Sequence, residues 1–151
     1  MEVSSYTIKE TTDFSKKLTN VQVINSSFIN ENDDGNGNQG LIGEAMKIHG
    51  NVSFALKNGL ISGFAQAAIL GSTFEINDLN LRAVSLTNCY INNCKKNIIS
   101  ELGAVFDNDL EEFYGNVAFN NLYQFISSAD TFLDPKNQKL PDYRFKLNKV
   151  N

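Results

Sequence analysis

The sequence predicts an all-β fold: a right-handed parallel β-helix of about four coils, with an asparagine ladder and a C-terminal capping tail. Three observations predict it. First, Val84, Leu86, Asn88 and Ile91 set a pattern of apolar, any, apolar, any, asparagine, then an apolar residue three later. Phe54, Leu56, Asn58 and Ile61 repeat it, as do Val21, Val23, Asn25 and Phe28. Val117, Phe119 and Asn121 begin a fourth copy, in which Gln124 breaks the last slot and Tyr123 or Phe125 substitutes. Second, Asn25, Asn58, Asn88 and Asn121 fall 33, 30 and 33 residues apart, a near-constant period that marks stacked repeats. Third, each repeat offers two short strands about its asparagine, and a third strand can follow.

Composition agrees with many short strands. The 151 residues suffice for one domain with a buried core. An apolar fraction of 42% with 10 Gly and 2 Pro fits strands joined by polar turns rather than a disordered chain. A net charge of −4, with no run of Lys or Arg, argues against a nucleic-acid surface. No stretch reaches the roughly 18 apolar residues of a membrane span. The opening MEVSSYTIKE lacks the basic end and apolar run of a secretory signal.

Taken in order, residues 1–20 read as a lead-in strand or cap with a turn at 11–17. The coils follow over 21–133. Their paired strands are expected at 21–24 and 26–30, 54–57 and 59–63, 84–87 and 89–93, and 117–120 and 122–126. The first strand of each pair alternates with period two, so its apolar residues can face one core. Asparagine suits the corner because it tolerates a left-handed φ and bonds locally through its amide. Third strands align at 67–70 and 97–100, with Ile69 over Ile99. In the first unit 41–42 or 45–48 serves, and in the last 131–133. Between strands lie excursions at 31–40, 71–80 and 101–116; in the last, 107–114 reads as one helical turn capped by Asp107 or Asp109. Residues 134–151 form the capping tail. Stacked strands place Asn25, Asn58, Asn88 and Asn121 in one hydrogen-bonded amide ladder. Four coils are few, so self-association over the N-terminal coil is a candidate contact.

Cys89 and Cys94, on one extended segment at about 3.3 Å per residue, stand too far apart to bridge. A disulfide needs a bend at Asn92-Asn93; otherwise both are free thiols beside the core. Together with the distant His49 they supply too few ligands for zinc.

The segment V-x-L-x-N-C-x-I-N-N and its partners resemble coils of the pectate-lyase-like parallel β-helix superfamily over roughly residues 20–135. The tail FLDPKNQKLPDYRFKL resembles the closing segment of secreted bacterial β-helix proteins, where Asp-Pro is followed by D-[FY]-R-[FL]. In physical terms Pro135 and Pro141 block further strand pairing, and Tyr143, Phe145 and Leu147 can lie over the last coil. The resemblance implies a secreted or cell-surface bacterial protein that binds or acts on a polysaccharide or surface glycan.

It carries over no catalytic residue. Lyases of this superfamily are expected to hold Ca²⁺ with several carboxylates beside a Lys or Arg base. Here the arginines are Arg82 and Arg144, and neither has a carboxylate cluster at matching positions. Asp107, Asp109, Glu111 and Glu112 are dense enough for a hydrolase pair, although one solvated loop hardly separates their pKa values. Asn32, Asp34, Asn36 and Asn38 alternate with Gly35 and Gly37 like a calcium loop. Counted from Asn32, position 12 is Gly43; counted from Asp33, Glu44 fills it but glycines fall on ligand slots. A flexible Gly/Asn loop is the alternative, and no other cofactor is expected. His49 has no triad partners. Tyr90, Tyr114 and Tyr123, with Tyr6 and Tyr143, offer a sugar-stacking platform or else buried rings. The expected function is therefore a non-catalytic carbohydrate-binding or adhesion module. The alternatives are a polysaccharide lyase or glycoside hydrolase, or a structural spacer or spike fragment.

Overall fold

Alternation of apolar residues over four or five positions gives strands too short to stand alone, so each must pair with an equivalent elsewhere in the chain. The computed structural model, which describes residues 6–9, 20–30, 43–50, 52–135, 137 and 139–146, shows how they do so. Strands are numbered in chain order. One parallel sheet runs β1 (Tyr6–Lys9), β4 (Glu44–His49), β7 (Gln66–Leu70), β10 (Lys96–Ser100). A second runs β2 (Asn20–Ile24), β5 (Ser53–Lys57), β8 (Val84–Thr87). A third runs β3 (Ser27–Ile29), β6 (Leu60–Ser62), β9 (Tyr90–Asn92), β11 (Leu122–Gln124). Every pairing within these three sheets is parallel and, except for β9 with β11, joins a strand to the one three places later. The chain thus visits three sheets in rotation.

Register follows the repeat. Val21, Phe54 and Val84 are aligned, as are Val23, Leu56 and Leu86. On the third sheet Phe28, Ile61, Ile91 and Tyr123 are aligned, so Tyr123 fills the slot that Gln124 broke. Ile69 pairs with Ile99 on the first. The columns of the second and third sheets, with Met46, Ile48, Ala68, Leu70 and Ile98 of the first, meet in one core. Ile69 and Ile99 alternate with the core-facing residues and are half-buried. Each large buried side chain contributes roughly 1.5–3 kcal/mol. At the corners Asn25, Asn58 and Asn88 all have φ 54°, the left-handed region asparagine tolerates. Their amides are chained: Asn58 Nδ2 donates to Asn25 Oδ1 at 3.0 Å and Asn88 Nδ2 to Asn58 Oδ1 at 3.3 Å.

The fourth repeat departs from expectation in three places. Its rung is Asn120, not Asn121: Asn120 has φ 52° and its Nδ2 donates to Asn88 Oδ1 at 2.9 Å. Asn121 instead accepts from Cys89 N at 3.0 Å and donates to Leu86 O at 2.9 Å. Next, Val117–Phe119 is a 3-10 turn and no strand. The cause is upstream. Helix α2 (Asp107–Tyr114) drives Leu110 and Tyr114 into the core, and the Tyr114 hydroxyl bonds Val84 O at 3.0 Å. The place a fourth strand would cover is filled, and Val117 is left 93% exposed. Asn116 Oδ1 accepts from Ala118 N at 2.9 Å and starts the 3-10 turn. Last, residues 131–133 do not extend the first sheet. Helix α3 (Ser128–Thr131) leads into β12 (Phe132–Asp134), which pairs antiparallel with β13 (Asp142–Phe145).

The tail also lies elsewhere than expected. Phe132 and Tyr143 pack with Ile29, Leu60 and Tyr90, and Phe145 meets Tyr90 at 5.6 Å. Leu60 and Tyr90 alternate with the core-facing Ile61 and Ile91, so the tail covers the opposite face of the third sheet, not the end of the stack. Asn92, on that same face and fully buried, holds it. Its Oδ1 accepts from Ile126 N at 3.0 Å, while Nδ2 reaches Ile126 O at 2.9 Å and Thr131 Oγ1 at 3.2 Å. Leu147 and residues 11–17 lie outside the described residues.

Helix α1 (Asp78–Ala83) occupies the end of the second excursion, started by Asn77, whose side chain accepts from Asn80 N at 3.0 Å. In α2 the expected cap is displaced. A 3-10 turn at Ala104–Phe106 precedes the helix and makes Phe106 the N-cap position, with Asp107 in the first turn.

Candidate functional site

Helical spacing sorts the acidic residues of α2. Residues three or four apart share a face, so Leu110 and Tyr114 point to the core while Asp107 with Glu111, and Asp109 with Glu112, fall on two different flanks. The four carboxylates singled out in the sequence are therefore not one cluster.

On one flank Asp107 Oδ2 pairs with Lys96 Nζ at 3.2 Å and Oδ1 accepts from Ser100 N at 3.3 Å. That carboxylate ties the helix to β10. Beside it a groove of about 370 Å³ takes in Lys95, Asn97 and Glu111, above a hollow of about 130 Å³ bounded by Ile98, Leu110, Tyr114 and Tyr123.

The other flank opens a cleft of about 400 Å³, lined by Arg82, Asp109, Glu112, Phe113, Asn116 and Phe119. Arg82 comes from the last turn of α1, Asp109 to Phe113 from α2, and Asn116 and Phe119 from the 3-10 turn. The Phe113 and Phe119 rings are half-buried, 5.4 Å apart and tilted at 47°. No ion pair joins Arg82 to either carboxylate. Sequence reasoning gave Arg82 no carboxylate neighbours, yet the fold brings it to two. It missed Phe113, Asn116 and Phe119 altogether. The spacing of Asn116 ahead of Ala118 was a local signal for the turn, but nothing local showed that the turn meets α1.

The three tyrosines do not form a platform. Tyr114 is 1% exposed, and burial pushes its phenol far above the ordinary range. Tyr123 donates to Tyr114 O at 3.0 Å, and its pKa is pushed up to about 12, chiefly by burial. Tyr90 bonds Gln124 Oε1 at 2.7 Å, its ring lies against Phe145, and burial raises its pKa.

Cys89 and Cys94 are free and buried. Burial raises both thiols, Cys94 to about 11, which disfavours the reactive thiolate. His49 ends β4 so close to Gly71 that a Cβ there would sit 2.7 Å from Nδ1. Nearby, Lys47 pairs with Glu101, whose other oxygen accepts from Ser72 N at 3.0 Å. The calcium-loop candidates Asn32, Asp34, Asn36 and Asn38 lie outside the described residues. Among the described residues no group of three His, Cys, Asp or Glu side chains gathers around one point, and no helix is long and apolar enough to cross a membrane.

Comparison of the chain with protein families, curated proteins and solved structures finds no match.

Proposed function

We propose that the three parallel sheets are the faces of a right-handed parallel β-helix of the pectate-lyase-like kind, and that the chain is a non-catalytic glycan-binding or adhesion module of a secreted or cell-surface bacterial protein. The observation that carries this reading is the cleft beside α2. Phe113 and Phe119 offer ring surface for the apolar faces of sugars, next to Arg82, Asp109, Glu112 and Asn116 as hydrogen-bonding groups for hydroxyls. Binding is favoured over hydrolysis because Asp109 and Glu112 rise from one flank of one helix. A hydrolase sets its two carboxylates on either side of the scissile bond, about 5–10 Å apart, with separated pKa values.

Affinity electrophoresis through gels containing neutral, uronic-acid and amino-sugar polysaccharides tests the reading. The protein is retarded by at least one of them, and Phe119→Ala and Arg82→Ala restore free migration. No retardation by any polysaccharide, or retardation unchanged in both variants, overturns it. Release of reducing ends that disappears in Asp109→Ala would instead establish the hydrolase reading.

A further inference from the structure

We propose that Asn58–Gly59 is a modification site, at which conversion of Asn58 to isoaspartate uncouples the β2–β3 unit from the rest of the stack.

Two separate demands of the fold place an asparagine directly before a glycine. Asn58 is a ladder rung and holds φ 54°. Gly59 is compelled by space, since a Cβ there would lie 2.8 Å from both Cγ and Cδ2 of Leu56. The other corners follow their rung with Ser26, Cys89 and Asn121, each with a Cβ beside its own peptide nitrogen that glycine lacks. Gly59 is buried but carries no side chain to hinder attack by its own nitrogen. Its N–H is directed at the Cys89 thiol, a weak acceptor. Asn58 itself is solvent-exposed.

The chemistry needs only water. The Gly59 nitrogen attacks Asn58 Cγ, the side-chain nitrogen leaves as ammonia with the Gly59 proton, and a five-membered succinimide closes. Water then adds to either ring carbonyl and reopens the ring to aspartate or isoaspartate, with no change of oxidation state. For attack, the Asn58 amide must swing out of the ladder, which its two rungs oppose. The brake is thus the hydrogen bonds to Asn25 and Asn88.

The two products differ in consequence. Aspartate keeps the backbone path, still accepts from Asn88, and can accept from Asn25 once that terminal amide turns over. Isoaspartate routes the main chain through the former side chain and lengthens it at the corner. Two bonds bracket that corner, Asn58 N to Thr87 O at 3.0 Å and Leu60 N to Ser26 O at 2.9 Å. They cannot both survive the longer path. Loss of the second loosens the start of β3 from β6, leaving Asn30 N to Ser62 O at 2.9 Å at its far end.

The test is incubation of the whole protein at mildly alkaline pH, with peptide mapping for isoaspartate and hydrogen exchange on the separated product. Isoaspartate accumulates at position 58, and faster in Asn25→Gly, which keeps the left-handed corner but removes one rung. Exchange in the isolated product rises at β2 and β3 and stays low at β8 and β9, with a Tm lower by about 2–4 °C per hydrogen bond lost. The Asn58→Asp variant exchanges as the unmodified protein does. Absence of isoaspartate at 58 under conditions that convert a free peptide of residues 56–61 overturns the proposal. So does an unchanged rate in Asn25→Gly, unchanged exchange in the isoaspartyl product, or equal loss of protection in Asn58→Asp.

Discussion

The units around Asn58 and Asn88 and the unit around Asn120 carry nearly the same sequence pattern, but they use it differently. In the two middle units the apolar positions of β5 and β8 are sealed, with Phe54, Leu56, Val84 and Leu86 at 1% exposure or less. In the last unit Val117, which spacing in the sequence matches to Val84, faces solvent. With the rung at Asn120 and Leu122 paired to Tyr90 the register is shifted by one, and Asn116 takes the place of Val84. Leu110 and Tyr114 arrive in the core first, from a helix, and the strand that the pattern describes has nothing left to cover. A repeat thus encodes a strand only while the next layer of core remains to be built. What survives at the end is the hydrogen bonding: Asn88 N still reaches Phe119 O at 2.9 Å, and the amide ladder still gains its rung.

The largest effect should come from truncating an apolar residue of the repeat that the core uses and comparing it with one that the core leaves out. Leu86→Ala removes a fully buried side chain and should cost about 2–5 kcal/mol, whereas Val117→Ala should stay within about 0.5 kcal/mol. Urea unfolding of the two variants measures both; equal costs would erase the contrast. Next in size is the attachment of the tail. Asn92→Ala removes both bonds to the Ile126 backbone and the bond to Thr131 Oγ1, which keeps Ser127 O at 2.9 Å, at about 0.5–1.5 kcal/mol for each bond lost. Limited proteolysis should then cut within 128–146 while β5 to β10 remain intact. Smaller again is the ladder. Asn88→Gly removes two rungs and Asn120→Gly one, at about 0.5–1.5 kcal/mol per rung, with the left-handed backbone kept in both. A fall in stability with Asn121→Gly alone would contradict the assignment of the fourth rung only if Asn120→Gly were neutral.

The smallest contrast is in pH. The last unit places Tyr123 against the core with its pKa raised to about 12 from 10.0, because burial disfavours the phenolate. A group whose folded pKa is raised stabilises fully below its unfolded pKa. That contribution is complete below pH 10 and is lost as pH climbs through 12. The urea midpoint should therefore fall across that window, and Tyr123→Phe should shed part of the fall.

Much of this arrangement was legible residue by residue. The register of Val21, Phe54 and Val84, the pairing of Ile69 with Ile99, and the corners at Asn25, Asn58 and Asn88 all follow from spacing, because each unit contacts chiefly its neighbours. The site was less legible. Asp107, Asp109, Glu111 and Glu112 read as one acidic patch in the sequence, and only a helix of two turns divides them between flanks. Arg82 gained its neighbours because α1 and α2 line the same cleft, a meeting that neither segment encodes alone. Asn92 looked like half of a bend between two cysteines and proved to be the buried anchor of the tail.

By itself the sequence determined the rotation of the chain through three strand positions, the columns of apolar residues and three of the four rungs, since periodic side chains repeat the same local problem and obtain the same local answer. The tertiary structure alone decided where the periodicity stops being strand, which neighbouring asparagine takes the last rung, and which face the tail covers. Those outcomes depend on what already fills the core when the chain returns to it, a competition for space between segments far apart in sequence.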